Sequence, residues 1–252
     1  MKRMKIAVEN SAKWFDGETF TNGYTDKEFN SIASEFLCAD VLDHGVLSDS
    51  QKALITLASL TASGTYEVIE KYSLAALRAG ASANEIRETL IQCAPYVGLE
   101  RVNLSLKEAY AAFEKAGVSE TVTEQATVDD DTRFEKGLAV QQEIFGADNI
   151  KNMRASAPQE LKHIQDYLSA YCFGDFYTRK TLDLKMRELI TFCAICSLGG
   201  CEPQAKAHAA ANISVGNTRE MLIDAITQCL PFIGFPRILN AISCIDSVTS
   251  QN

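Results

Sequence analysis

The tripeptide Leu54-Ile55-Thr56 returns as Leu189-Ile190-Thr191, one of an ordered series of matches between the two halves of this 252-residue chain. Asp40 and Asp175, then Leu47 and Leu182, share the same offset of 135 (175 − 40). Beyond the turns at Gly64 and Gly199-Gly200 the offset becomes 136 (216 − 80). Gly80/Gly216, Gln92-Cys93/Gln228-Cys229, Pro95/Pro231, Gly98/Gly234 and Arg101/Arg237 then follow in register. One inserted residue accounts for the change. Turn and core residues repeating in order mark two copies of one structural unit.

Each copy reads as helical. Near Asp26 a helix begins whose Phe29, Ile32, Ala33, Phe36 and Leu37 fall on one face. Ser48 with Gln51, and Ser82 with Glu85, have the spacing of capping boxes and predict two helix starts. The first of these helices should stop near Ser63-Gly64, and a helix over Tyr66 to Arg78 should stop at Gly80. Pro95 and Gly98 interrupt the pattern before a further helix through Phe113. After the interruption at Gly117 to Asp131, Leu138, Gln142 and Phe145 mark one helix, and Leu161, Ile164, Leu168 and Tyr171 the next. Almost nothing reads as a strand. The expected organisation is an irregular N-terminal arm over 1–26, a first repeat over 27–116, a polar linker over 117–131 and a second repeat over 132–252.

Charge and cysteine use narrow the function. With 24 Lys and Arg against 33 Asp and Glu, the net charge is −9, which disfavours nucleic acid and anionic membrane surfaces as partners. The basic N-terminus lacks the apolar run of a secretory signal, and no stretch has the uninterrupted apolar length of a membrane span, so a cytoplasmic protein is expected. The eight cysteines sit mostly within apolar helical patterns of a chain too large for a disulfide framework. The three His lack the paired spacing with cysteine that zinc requires, so no metal site is expected.

The two copies differ where reactive groups gather. In register, Glu188 stands opposite Ala53, Cys201 opposite Thr65, Gln204 opposite Val68 and His208 opposite Tyr72. On this reading repeat 1 is mainly a scaffold and repeat 2 carries the chemistry.

The pattern Leu-Asp-Leu-x-x-Arg-Glu-Leu-Ile (182–190), then Gly-Gly-Cys-Glu-x-Gln-x-x-x-His (199–208), Gly216, Gly234-Phe235-Pro236-Arg237 and Asn240 resembles the carboxymuconolactone decarboxylase family. The resemblance covers nearly all of repeat 2 and, more loosely, residues 28–113. It implies an all-α fold, a duplicated helical-bundle unit of the alkylhydroperoxidase D-like type. It also implies homo-oligomers with sites near subunit contacts, with a tandem chain assembling as a trimer that imitates a hexamer of single repeats. In the redox branch of that fold a Glu precedes a Cys-x-x-Cys-x-x-x-His run. By position Glu188, Cys201 and His208 match, and Gln204 replaces the second Cys. An amide neither ionises nor forms a disulfide, so the two-thiol cycle is absent from this stretch.

Helix geometry adds detail. Pro203 suits a first helical turn, so Gln204 and His208, at i and i+4, share a face. Cys201 lies seven residues before His208, roughly 10 Å along a helix axis, too far for direct activation by it. Its position at a helix N-terminus, where the dipole favours negative charge, is the remaining route to thiol chemistry. The plain structural alternatives are His208 as a satisfied interface histidine, Glu188 as a helix-start carboxylate complementing the dipole or paired with Arg187 or Lys185, and Cys201 as a small turn residue. Cys193 and Cys196 fall on the buried face of their helix and read as core.

Arg179, Arg187 and Arg237 are the candidates for holding an anionic small molecule, since guanidinium binds a carboxylate through two parallel hydrogen bonds. Three functions remain open. One is a cofactor-independent decarboxylation of a small carboxylated lactone or related acid, using Glu188 and His208. The second is a peroxiredoxin-like thiol antioxidant activity using Cys201. The third is a non-enzymatic binding or scaffold role.

Overall fold

The computed structural model describes residues 2–17, 26–118 and 123–249, and among these every regular element is a helix. Repeat 1 contains α2 (Lys27–Glu35), which runs into a π-helical segment (Phe36–Val41), α3 (Asp49–Ser63), α4 (Ile69–Arg78), α5 (Ala83–Gln92), the short α6 (Ala94–Val97) and α7 (Leu99–Lys115). Ahead of them lies α1 (Lys2–Phe15). After it come α8 (Arg133–Phe145) and α9 (Ala147–Ser156), then the second copy: α10 (Lys162–Tyr167) with its π-helical continuation (Leu168–Tyr177), α11 (Leu184–Leu198), α12 (Glu202–Ser214) and α13 (Arg219–Thr249).

Local chemistry sets these boundaries. Ser48 and Ser82 cap α3 and α5 through complete capping boxes with Gln51 and Glu85. Asp183 caps α11 by accepting from the Met186 N–H at 2.8 Å. Gly64, at φ 78°, ends α3 in the left-handed conformation that only glycine adopts without strain. Gly234, at φ 74° and ψ 167°, breaks α13 into two helices that correspond to α5 and α7. By length and composition α13 alone is apolar enough to cross a membrane, yet its Leu222, Ile226, Cys229 and Ile245 belong to the common core.

That core is built on α3 and α11, the equivalent helices of the two repeats, which pack on each other through almost entirely buried faces. The Ser59 and Ser197 hydroxyls meet at 2.9 Å between them. Buried cations occupy equivalent places: Lys52 donates to the Leu42 and His44 carbonyls at 2.8 and 2.6 Å, and Arg187, its counterpart, donates to those of Leu182, Arg179 and Lys180.

Two expectations are corrected. The N-terminal arm is not irregular over 2–15, where α1 forms and buries Trp14 and Phe15. Its apolar stripe is too thin to announce a helix. Polar anchoring supplements it: Arg3 pairs with Glu35 and Asp40, Lys13 with Asp49, and Asn10 donates to the Cys38 carbonyl at 2.7 Å. Residues 18–25 of the arm lie outside the described residues. The expected linker stretch has no regular element over 123–129 and is docked rather than free: Gln125 is buried and accepts from Thr181 Oγ1 at 2.6 Å. Residues 119–122 lie outside the description.

α8 rests directly on the backbone of the π-helical segment. A Cβ at Gly137 would stand 2.0 Å from the Ser169 carbonyl oxygen, and one at Gly174 would stand 2.2 Å from the Arg133 carbonyl oxygen. Both obstacles are main chain, which cannot rotate away. Gly137→Ala should therefore destabilise the fold by roughly 1–3 kcal/mol, the usual range for overpacking, read as a lowered urea midpoint at unchanged slope.

Candidate active site

α11 places Glu188 one turn into the helix on its face toward α12, with no solvent exposure. A carboxylate so placed needs partners for both oxygens. Tyr177 donates its hydroxyl to Oε1 at 2.8 Å, and His208 Nδ1, on α12, lies 2.8 Å from Oε2. Asn212, one turn beyond His208, donates to the main-chain carbonyls of His208 and Glu188 at 2.8 and 3.0 Å, tying the two helices together beside the pair. Its amide orientation is fixed because Asn217 Nδ2 donates to Asn212 Oδ1 at 2.8 Å. The imidazole is held edge-on by Tyr96 and Phe145, with centroids at 5.5 and 5.4 Å. A carboxylate on Nδ1 selects the tautomer with its proton there, leaving Nε2 as the free nitrogen.

The hydrogen bonds behind Glu188 have a single consistent direction. Arg187 can only donate, so Gln92 accepts through Oε1 at 2.8 Å and presents Nε2 to Thr191 Oγ1 at 3.3 Å. Thr191 in turn donates to the Tyr177 oxygen at 3.0 Å, and Tyr177 donates to Glu188. The Tyr96 hydroxyl meets that of Tyr177 at 2.9 Å and Cys172 Sγ at 3.5 Å. Burial pushes both phenols well above their ordinary range, so they remain neutral donors at working pH. Burial also pulls Arg187 down to about 10, against the raising influence of Glu88, which still leaves it cationic at neutral pH.

His208 opens onto a cavity of 660 Å³ walled by the π-helical segment, α6, α8, α9, α10, α11 and α12. Gln204 lines it with His208, as their i, i+4 spacing predicts, Cys201 also reaches the wall, and Glu188 stands behind the imidazole. Cys201 is half-buried, with Sγ 3.6 Å from the Gly199 carbonyl oxygen. Cys193 and Cys196 are core thiols, as expected, and burial raises both well above the normal thiol range.

The three arginines do not line this cavity. Arg179 forms a two-pronged pair with the buried Glu88 at 2.7 and 2.9 Å. Arg187 is fully buried in the network described above. Arg237 donates to the Ser197 carbonyl at 2.8 Å, closing the end of α11 as its counterpart Arg101 closes α3 at Ala62. All three are engaged by a carboxylate or by main-chain carbonyls.

Repeat 1 is more than a scaffold, because Tyr96 and Gln92 come from it. The signal was the same comparison between copies, read in the other direction: Tyr96 stands opposite Phe232, and Tyr177 opposite Leu42, each a hydroxyl gained over an apolar partner. The equivalent place in repeat 1 is filled. Tyr72, the counterpart of His208, packs edge-on against Phe15 of α1 at 5.5 Å and Phe232 at 5.4 Å, as His208 packs against Phe145 and Tyr96.

Residues 28–111 and 162–246 each match the carboxymuconolactone decarboxylase family, one match per repeat. The chain belongs to this family. It is also 25% identical, over 109 residues, to a 4-carboxymuconolactone decarboxylase of Acinetobacter baylyi (strain ATCC 33305 / BD413 / ADP1), covering 43% of this chain and 81% of that protein. The family matches contain Tyr96, Tyr177, Glu188, Cys201, Gln204 and His208. They leave out α8 and α9, which supply Gln141, Phe145, Ile150 and Met153 to the cavity wall.

Two outcomes test this geometry in the family's tandem chain. Tyr177→Phe strands a buried carboxylate oxygen and the Thr191 hydroxyl, and should cost roughly 1–3 kcal/mol in urea unfolding. Brief alkylation of the native protein at pH 8 should label Cys201 before Cys93 and Cys172. Burial holds those two thiols at about 12, so raising the pH to 9 should not release them, as peptide mass mapping would check.

Proposed function

We propose that this protein catalyses a cofactor-independent decarboxylation of a small carboxylated lactone or related β-keto-type acid. The observation that carries the reading is the buried Glu188–His208 pair, with the imidazole opening onto a largely apolar cleft. The A. baylyi relative, whose name states this type of reaction, supports it.

The chemistry follows from the environment. A carboxylate leaving as CO2 passes its bonding pair to the neighbouring carbon, where a β-carbonyl spreads the charge onto oxygen. Transfer from water into an apolar cavity disfavours the compact carboxylate more than the delocalised transition state. Gln204 lies on the cavity-facing side of α12, one turn before His208, and its amide N–H can donate to the developing oxyanion. His208, its Nδ1 held by Glu188, takes a proton from solvent at Nε2 and passes it to the carbanionic carbon. Overall, R–COO⁻ and one proton give R–H and CO2.

His208→Gln retains a donor for Glu188 while removing the proton carrier. It should lower kcat for CO2 release from a β-keto acid such as benzoylacetate by about 10²–10⁴-fold, the range for lost acid–base catalysis, with little loss of stability. Cys201→Ser should keep most of the activity. Loss of turnover in Cys201→Ser alone, with His208→Gln still active, would transfer the chemistry to the thiol. Equal turnover in wild type and His208→Gln, or none in either, would defeat the reading.

A further inference from the structure

Among the described residues, no Arg, Lys, Asp or Glu lines the cavity, and His208 is the one basic side chain on its wall. Its walls are instead aromatic and aliphatic, with Tyr167, Tyr171, Phe145, Phe173, Leu168 and Met153 among them. Among the basic residues flanking this wall, Lys151, Lys162 and Lys206 are exposed and do not line it, and two arginines are committed elsewhere. Arg154 is paired with Asp166 at 2.5 Å and also donates to the Gln165 carbonyl and Ser169, and Arg133 is paired with Asp175. The three arginines within the second repeat's motif are held by Glu88, by main-chain carbonyls and by the end of α11.

A carboxylate in such a place has no cationic partner except a protonated His208, itself already engaged by Glu188. Burying one unpaired charge is costly, and burying two is prohibitive unless the reaction removes the charge. Decarboxylation does remove one. The volume lies in the range of pockets that hold drug-sized, mostly apolar ligands, larger than a compact diacid needs.

Resting on the decarboxylase reading, we infer that the substrate is a monoanion: an apolar, ring-bearing or branched acid whose only carboxylate is the one lost as CO2. A second permanent carboxylate is excluded by the cavity wall. The single charge enters beside His208 and leaves as neutral CO2, and the body of the molecule packs against the aromatic wall. Gln141 and Gln204, both on the cavity wall, supply neutral donors suited to a carbonyl or ester oxygen on that body.

The test separates binding from turnover. Calorimetric titration of the full chain with two stable probes of the same body, 3-phenylpropanoate as monoanion and phenylsuccinate as dianion, should show the monoanion binding at least about tenfold tighter, about 1.4 kcal/mol. Ile164→Arg adds a cation on the half-exposed rim of α10, where folding tolerates it, and should narrow or reverse that preference. CO2 release is then measured from benzoylacetate and from 3-oxoglutarate, a monoanionic and a dianionic β-keto acid. Equal or tighter binding of phenylsuccinate by the wild type, or binding of neither probe, would overturn the substrate class. Monoanion preference without CO2 release from either keto acid would leave the substrate class standing and remove the decarboxylase reading. Faster turnover of 3-oxoglutarate would keep the reading and remove the class.

Discussion

A single buried carboxylate sets the terms for the rest of the molecule. Glu188 has no exposure to water, and a carboxylate in that position costs several kcal/mol unless its oxygens are satisfied. Its two direct side-chain partners, Tyr177 and His208, lie on different elements, and the groups that orient those partners lie on further ones. The order Arg187, Gln92, Thr191, Tyr177, Glu188 admits one sense of donation because its first member has only donors. The imidazole that closes the network from the other side is therefore fixed in tautomer and in direction. Preorganisation of this kind holds the imidazole in one orientation at the cavity wall.

The duplication explains how such a network could be built across one chain. Equivalent helices α3 and α11 meet at the centre, so residues near the end of α5 and in α6 of the first repeat come to stand over α11 and α12 of the second. The reverse crossing also exists, and there Phe232 stands over Tyr72, with Phe15 of α1 packed on the ring. One crossing holds titratable groups around a cavity, and the other holds aromatic rings. The buried Lys52 and Arg187 keep the same structural task in both, bonding the chain that precedes each central helix. Divergence has thus acted on the side chains facing each crossing while the frame beneath them persisted.

Much of this was legible in the sequence. The register of the repeat, the capping boxes at Ser48 and Ser82 and the i, i+4 relation of Gln204 to His208 are local or periodic signals, and each appears in the structure. Helix α1 was not legible, because its stability comes from Trp14 and Phe15 reaching a distant core and from ion pairs 32 to 37 residues away. The arginines misled for a related reason. A guanidinium beside a motif suggests an anion, but only the fold reveals that Glu88 and a set of main-chain carbonyls are already waiting for it. The comparison between copies could have yielded Tyr96 and Tyr177, had gained hydroxyls been weighed alongside lost thiols.

The two sides of the cavity differ in their relation to the family. Glu188, Gln204 and His208 lie within the stretches that match it, as do Tyr96 and Tyr177. α8 and α9 lie outside those stretches, and they supply part of the apolar wall, including the ring packed on His208. Close main-chain contact at Gly137 and Gly174 seats α8 on the π-helical segment, so this part of the wall is rigidly placed. Substitutions in α8 and α9 can therefore change the shape and polarity of the cavity without disturbing the Glu188 network, whose hydrogen-bonding side chains all lie on other elements.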